Sequence, residues 1–181
     1  SFQYLATQGD IEGLEKLVDY ALSCHFPEID TRAEQRYVDF LIAVIDKQIE
    51  LIISWMRVGF IHGVMNTDNT LVSGETIDYG PCAMMNQFDF DTVFSSIDHQ
   101  GRYAFGNQPN IANWNCARLA ESLLPLFKNE QQALSLLSSA VNSFAEKFNH
   151  AFTTMWRRKL GLLDEHDDNQ ALVTELLTLM Q

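Results

Sequence analysis

The chain has 181 residues, 46% of them apolar, and carries 24 acidic side chains against 12 basic ones for a formal net charge of −12. That length accommodates one domain with a sizeable core. The charge argues against a protein that grips nucleic acid through its phosphates or docks on an anionic membrane, because both need clustered Lys and Arg.

In chain order, Asp10 reads as the N-cap of a first helix, with Ile11, Leu14, Leu17, Val18, Ala21 and Leu22 at helical spacing and Pro27 beyond its end. A second, longer helix is expected from Thr31, where Thr31 and Glu34 fit capping-box spacing. Its broad apolar face runs through Tyr37, Leu41, Val44, Ile45, Ile49, Ile52, Trp55 and Met56, and Gly59 ends it. The stretch from Val38 to Phe60 is interrupted by five charged residues, so it does not read as a bilayer span.

From Phe60 to about Asp98, Gly, Asn, Asp and Thr become dense and the helical period is lost. Leu71-Val72 and Thr76-Ile77 flank Ser73-Gly74-Glu75, which predicts a short β-hairpin. Helix resumes near Ile111 and reaches about Phe127. One long helix is expected over about Glu130 to Leu160, with Leu134, Leu137, Val141, Phe144, Phe148, Phe152 and Met155 facing inward. A last helix covers about Asp168 to Met180, behind an acidic loop at Glu165-His166-Asp167-Asp168. With no Pro/Gly/Ser linker, residues 1–181 read as a single unit, mainly α with one polar insert. Cys24, Cys82 and Cys116 lie far apart and form no CxxC pair, so reduced thiols and a cytoplasmic location are expected.

The polar insert carries the chemistry. It reads His62-Gly63-Val64-Met65-Asn66-Thr67-Asp68-Asn69, then the expected hairpin, then Asp78-Tyr79-Gly80-Pro81. Asn, Asp and Gly also favour plain turns, so each residue alone has a bland reading. In order, however, a buried helix, a His-Gly turn, an Asp-Asn pair and an Asp-aromatic-Gly step match the core of kinase-like phosphotransferases. There an Asn and a second Asp hold divalent metal on nucleotide phosphates, and another Asp serves as base. Hard oxygen ligands suit Mg²⁺ or Mn²⁺, and a hairpin would return Asn69 and Asp78 to the same end. Val64 stands where a kinase places its base, five residues before Asn69, so a base, if there is one, must move, and Asp68 is the available carboxylate.

His62 reads as a brace for this loop rather than a ligand. Asp98, His99 and Arg102 form a second polar cluster, expected to pin its segment with Arg102 in an ion pair. Asp89 and Asp91 read as solvated or capping residues, Trp114 as core, and Arg157-Arg158-Lys159 as a basic helix end suited to the macrodipole.

Three runs, His62 to Asn69, Thr76 to Pro81 and Gly101-Arg102-Tyr103-Ala104-Phe105-Gly106-Asn107-Gln108-Pro109, resemble the selenoprotein-O family. Asn113-Trp114-Asn115 and Phe2-Gln3-Tyr4 fit it too. The resemblance implies a protein-kinase-like C-terminal lobe, helical with a short β-hairpin carrying the catalytic loop. It implies transfer of AMP, or UMP in some bacterial members, from ATP or UTP to Ser, Thr or Tyr hydroxyls of target proteins. Asp68 would be the proton acceptor, Asn69 and Asp78 the metal ligands for Mg²⁺ or Mn²⁺, and Asp78 would also meet the nucleotide. Family members are longer, with an N-terminal lobe holding a Gly-rich loop, a Lys and Arg residues, and a C-terminal redox Cys or selenocysteine. The chain is therefore expected to be a C-lobe fragment, inactive alone. A kinase moving the γ-phosphoryl group, or a non-catalytic helical interaction module, are the alternative readings.

Overall fold

A computed structural model describes residues 1–33, 35–162 and 169–181. The fold is mainly helical. Helix α1 (Phe2–Gln8) starts with the Ser1 hydroxyl accepting the Tyr4 N–H at 3.3 Å, and Gly9 closes it in the left-handed region. Helix α2 (Ile11–His25) follows directly, and Asp10 caps it by accepting the Gly13 N–H at 2.9 Å, as its sequence position predicts.

Helix α3 (Arg36–Val58) begins later than the Thr31 start expected from the capping-box spacing. Asp30 takes over the preceding residues. Its carboxylate accepts the Arg32 N–H at 2.9 Å and its carbonyl the Ala33 N–H at 3.0 Å, so the chain turns before the helix starts. Glu34, the other half of the expected box, lies outside the described residues. The buried face of α3 includes Phe40, Leu41, Ile45 and Ile52, and α2, α4, α5 and α6 all pack against this helix. It is the axis of the core.

Beyond α3 come β1 (Phe60–Ile61) and, after the polar insert, β2 (Ala83–Met84), which pair antiparallel with Phe60 opposite Met84 and Ile61 opposite Ala83. The Met85 N–H donates to the Gly59 carbonyl at 2.9 Å and continues the tie. The β-structure thus lies at the base of the insert, and the hairpin expected at residues 71–77 does not form. Its two flanks bond to α3 instead of to each other. Gln48 Nε2 donates to the Leu71 carbonyl at 2.8 Å, and Trp55 Nε1 donates to the Thr76 hydroxyl at 2.9 Å. Between them Gly74, at φ 74°, lies so close that a Cβ would sit 2.8 Å from the Lys47 carbonyl oxygen.

Helix α4 (Gln108–Leu123) runs on through a 3₁₀ turn to Leu126. The single long helix expected over 130–160 is two helices, α5 (Glu130–Asn142) and α6 (Phe144–Leu160). The Ser143 hydroxyl donates to the Ala140 carbonyl at 2.7 Å and competes for the helical acceptor, which is how Ser interrupts a helix. Leu134, expected inside, is 48% exposed, whereas Leu137, Phe144 and Met155 are buried. In the basic turn that ends α6, Lys159 donates to the Arg57 carbonyl at 2.7 Å and so caps α3. Helix α7 (Asn169–Met180) packs Val173 and Leu177 on Met155 and Trp156 of α6. The expected acidic loop at 165–168 lies outside the described residues. Among the described residues no helix is long and apolar enough to cross a membrane.

Candidate active site

The insert is built around His62, which is 1% exposed. The Val64 N–H approaches its Nδ1 at 3.4 Å, so the proton is assigned to Nε2, which donates to the Ile77 carbonyl at 2.8 Å. The ring also packs on Trp55 at a centroid distance of 5.3 Å. Both ring nitrogens are engaged by backbone, which is the bracing role its place in the sequence suggests.

Ile77 immediately precedes Asp78, so the His62 bond fixes where that arm returns. Asp78 itself adopts φ 54°, the one non-glycine residue with positive φ among the described residues. Such a conformation costs energy in most residues but is tolerated by Asp. The Asp78–Pro81 arm then passes over Gly63, which has φ 85°; a Cβ there would lie 3.0 Å from Pro81 Cγ and 3.2 Å from the Pro81 carbonyl oxygen. Gly63→Ala is therefore expected to cost roughly 1–3 kcal/mol from the positive φ, with the clash adding to it. Chemical denaturation measures that loss; an unchanged midpoint would show that the arm is free to move away.

Thr67–Asn69 form a single 3₁₀ turn on the other side of His62. Asn69 Nδ2 donates to the Val64 carbonyl at 3.1 Å, which turns Oδ1 into the group left to accept or ligate. Asp68 is exposed, and its carboxylate makes no hydrogen bond or ion pair among the described residues. Asn69 and Asp78 are thus tethered to opposite ends of one short turn, His62 to Val64. The hairpin expected to carry Asp78 back does not form; the His62–Ile77 bond, a histidine clasp, ties that arm to the turn instead.

Two buried amides that the apolar pattern does not reveal hold the turn from below. Gln108, wholly buried, donates through Nε2 to the Phe60 carbonyl at 3.1 Å and accepts the His62 N–H on Oε1 at 3.1 Å. Asn115 donates through Nδ2 to the Met65 carbonyl at 3.1 Å and to the Thr70 hydroxyl at 2.9 Å. Gln48 on α3 does the same for Leu71. A polar amide inside an apolar helical face was the available signal: Gln48 sits four residues from both Val44 and Ile52.

Asp98 pins its own segment, accepting the N–H of Arg102 at 2.9 Å and of Tyr103 at 2.7 Å. Burial works to raise the Asp98 carboxyl, but the N–H groups of Tyr103, Arg102, Gln100 and Gly101 outweigh it and hold the carboxyl below its ordinary value. A depressed carboxyl stabilises the fold fully above the unfolded value, about 3.9, and loses that contribution as pH falls through the folded value. Amide protection at Arg102 and Tyr103 should accordingly hold to about pH 4 and decline below it. Protection that fails well above that pH would contradict the assignment. Arg102 is not in the ion pair expected of it; its guanidinium lies over the rings of Tyr103 and Trp114, at 5.6 and 4.9 Å from their centroids. Trp114, expected in the core, is 41% exposed. Asp91 donates its N–H to the Asp89 carboxylate at 2.8 Å, a local cap.

Among the described residues no group of three or more His, Cys, Asp or Glu side chains is arranged to hold a metal ion. The oxygen set here is smaller, an amide and a carboxylate. Asn69 Oδ1 and the Asp78 carboxylate are the oxygens of the insert that could take a hard cation such as Mg²⁺, with the rest of its ligands from elsewhere.

A rigid helical scaffold that presents a pinned loop of carboxylate and amide oxygens is the arrangement expected of a catalytic loop. The family model described as protein adenylyltransferase SelO matches residues 1–181, and the chain belongs to that family. It is 65% identical over 182 aligned residues to a protein nucleotidyltransferase YdiU of Pseudoalteromonas translucida, covering 100% of this chain and 39% of that protein. Relatives of the same name from Geobacillus kaustophilus and Halalkalibacterium halodurans are 53% and 51% identical, each covered over 37% of its length. The chain therefore spans less than two-fifths of these relatives.

Proposed function

We propose that this chain is the base-and-metal half of a protein nucleotidyltransferase with a protein-kinase-like C-terminal lobe. The observation that carries the reading is the histidine clasp, which tethers the Asn69 and Asp78 arms to one turn beside an uncommitted Asp68. In this reading Asn69 Oδ1 and the Asp78 carboxylate hold Mg²⁺ or Mn²⁺ with the phosphates of ATP, or of UTP, and Asp78 also meets the nucleotide. The cation supplies positive charge for the phosphate oxygens, which suits a chain of net charge −12. Asp68 accepts the proton of a Ser, Thr or Tyr hydroxyl on a target protein as that oxygen attacks the α-phosphorus. The new P–O bond forms as the bond to pyrophosphate breaks, giving a nucleotidylated protein and pyrophosphate.

The order of parts along the chain supports the kinase-like assignment: a central helix, a His-Gly turn, an Asp-Asn pair and a returning Asp-Tyr-Gly arm. Val64 in the place of the usual base speaks against γ-phosphoryl transfer. The names of the relatives agree with nucleotidyl transfer. Because the chain spans under two-fifths of those relatives, alone it should bind nucleotide weakly and transfer little.

Labelled ATP tests the reaction in a full-length family member containing these residues. Label at the α-phosphate should appear on target protein, and label at the γ-phosphate should not. The reverse pattern would assign a kinase and overturn the proposal.

A further inference from the structure

Beside Asp68 a cleft of about 130 Å³ opens between α1, α3, α4 and residues 67–72. Phe2, Val44, Val72 and Leu119 give it apolar walls, and Asp68 and Arg118 stand among its lining residues. Two polar features make it more than an apolar dent. Asn115, also in the lining, is 6% exposed; its Nδ2 is committed to Met65 and Thr70, while its Oδ1 is buried with no hydrogen-bond partner. A buried acceptor left unmet is costly and calls for a donor.

The second feature is cationic. Trp114 has the guanidinium of Arg118 at 5.2 Å and that of Arg102 at 4.9 Å from its ring centroid. Arg118 is paired with Glu121 at 2.5 Å, whereas Arg102 is exposed and in no ion pair among the described residues. The Tyr103 hydroxyl donates to Asn66 Oδ1 at 2.6 Å, next to Thr67 on the lip of the cleft. The exposed guanidinium of Arg102 thus shares the Trp114 ring with Arg118, which lines the cleft together with Asp68.

We infer that this cleft is the subsite for the acceptor segment of the target protein, and that it selects a polypeptide carrying an aliphatic side chain and an acidic side chain near the modified hydroxyl. The inference rests on the reading of Asp68 as the base. The aliphatic side chain enters the cleft, a backbone N–H of the segment meets Asn115 Oδ1, and the acidic side chain pairs with Arg102. A peptide is the one ligand that offers all three groups together. A free aliphatic molecule has no N–H or carboxylate to place, and a nucleotide has no aliphatic side chain. Arg102 is suited to a carboxylate because a guanidinium forms two parallel bonds with it.

The test uses a full-length family member containing these residues, ATP labelled at the α-phosphate, and a panel of Ser peptides with Leu and Glu scanned through the flanking positions. One Leu position and one Glu position should each lower the peptide KM by about tenfold, the size of a charge-assisted bond, with kcat little changed. Arg102→Ala should abolish the Glu preference and Leu119→Asp the Leu preference, both leaving the KM for ATP unchanged. Leu119→Ser, a milder change, covers the case in which Leu119→Asp does not fold. A panel with no preference, or preferences unmoved by these variants, overturns the subsite. Peptide preferences that persist while Asp68→Asn keeps full activity would refute the base and leave the subsite standing. If no peptide is labelled, anisotropy of a fluorescent Leu- and Glu-containing peptide decides: binding lost in Arg102→Ala supports the subsite, and no binding overturns it.

Discussion

Asp68→Asn in a full-length family member should lower the rate of nucleotidyl transfer by about a hundredfold to ten-thousandfold, the usual contribution of a positioned general base. The loss should fall on kcat, with the KM for ATP little changed, because on the proposed reading Asp68 meets the hydroxyl and not the nucleotide. The substitution is nearly isosteric. Asp68 is exposed and has no hydrogen bond or ion pair among the described residues, so the fold should not register the change. An unchanged melting temperature alongside lost activity is the diagnostic pair. Asn69→Ala and Asp78→Asn should differ from it in kind. They should remove the stabilisation that Mn²⁺ plus nucleotide gives, whereas Asp68→Asn should keep it. Full activity in Asp68→Asn would assign the proton to another acceptor.

Gln108→Ala should be the most damaging single truncation near the site, at about 3–5 kcal/mol. The buried His62 N–H and the half-buried Phe60 carbonyl lose their partner together. Each buried group left unmet costs about 1–3 kcal/mol, and removing the side chain from a wholly buried position opens a cavity as well. Nothing nearby replaces the amide, because β1 is two residues long and its other edge is already paired to β2. Gln108→Met separates the two contributions, since it keeps most of the volume and loses both bonds. Denaturant titration of the three proteins should give wild type, Gln108→Met and Gln108→Ala in descending order. A loss under about 1 kcal/mol for Gln108→Ala would mean that water reaches these groups.

The sequence is most legible where one face of an element meets the core. Helices α2, α3 and α4 follow their apolar spacing, and Asp10 and Gly59 mark true ends. It is least legible where one residue's side chain redirects the backbone. Ser143 divides a helix whose apolar period continues through the break, so counting apolar positions does not detect it. Leu71-Val72 and Thr76-Ile77 have strand composition, but Gln48 and Trp55 capture their polar groups from a helix more than twenty residues earlier. At the site, Asp68, Asn69 and Asp78 stand out through residue type and order. Their supports do not, because Gln108 and Asn115 act across separations of 46 and 50 residues that no local pattern encodes.

The clasp from His62 to Ile77 also divides the insert into smaller loops. An untied segment between β1 and β2 would wander, and any cation gathering its two ends would have to arrest that wandering as it bound. Loop-closure entropy grows with the logarithm of length, and here folding has already closed the loop through one imidazole. The insert is thus held in shape before any ligand arrives, and a cation would meet donors whose arms are already fixed. Weak affinity in this acidic chain would then reflect too few ligands rather than the cost of ordering them.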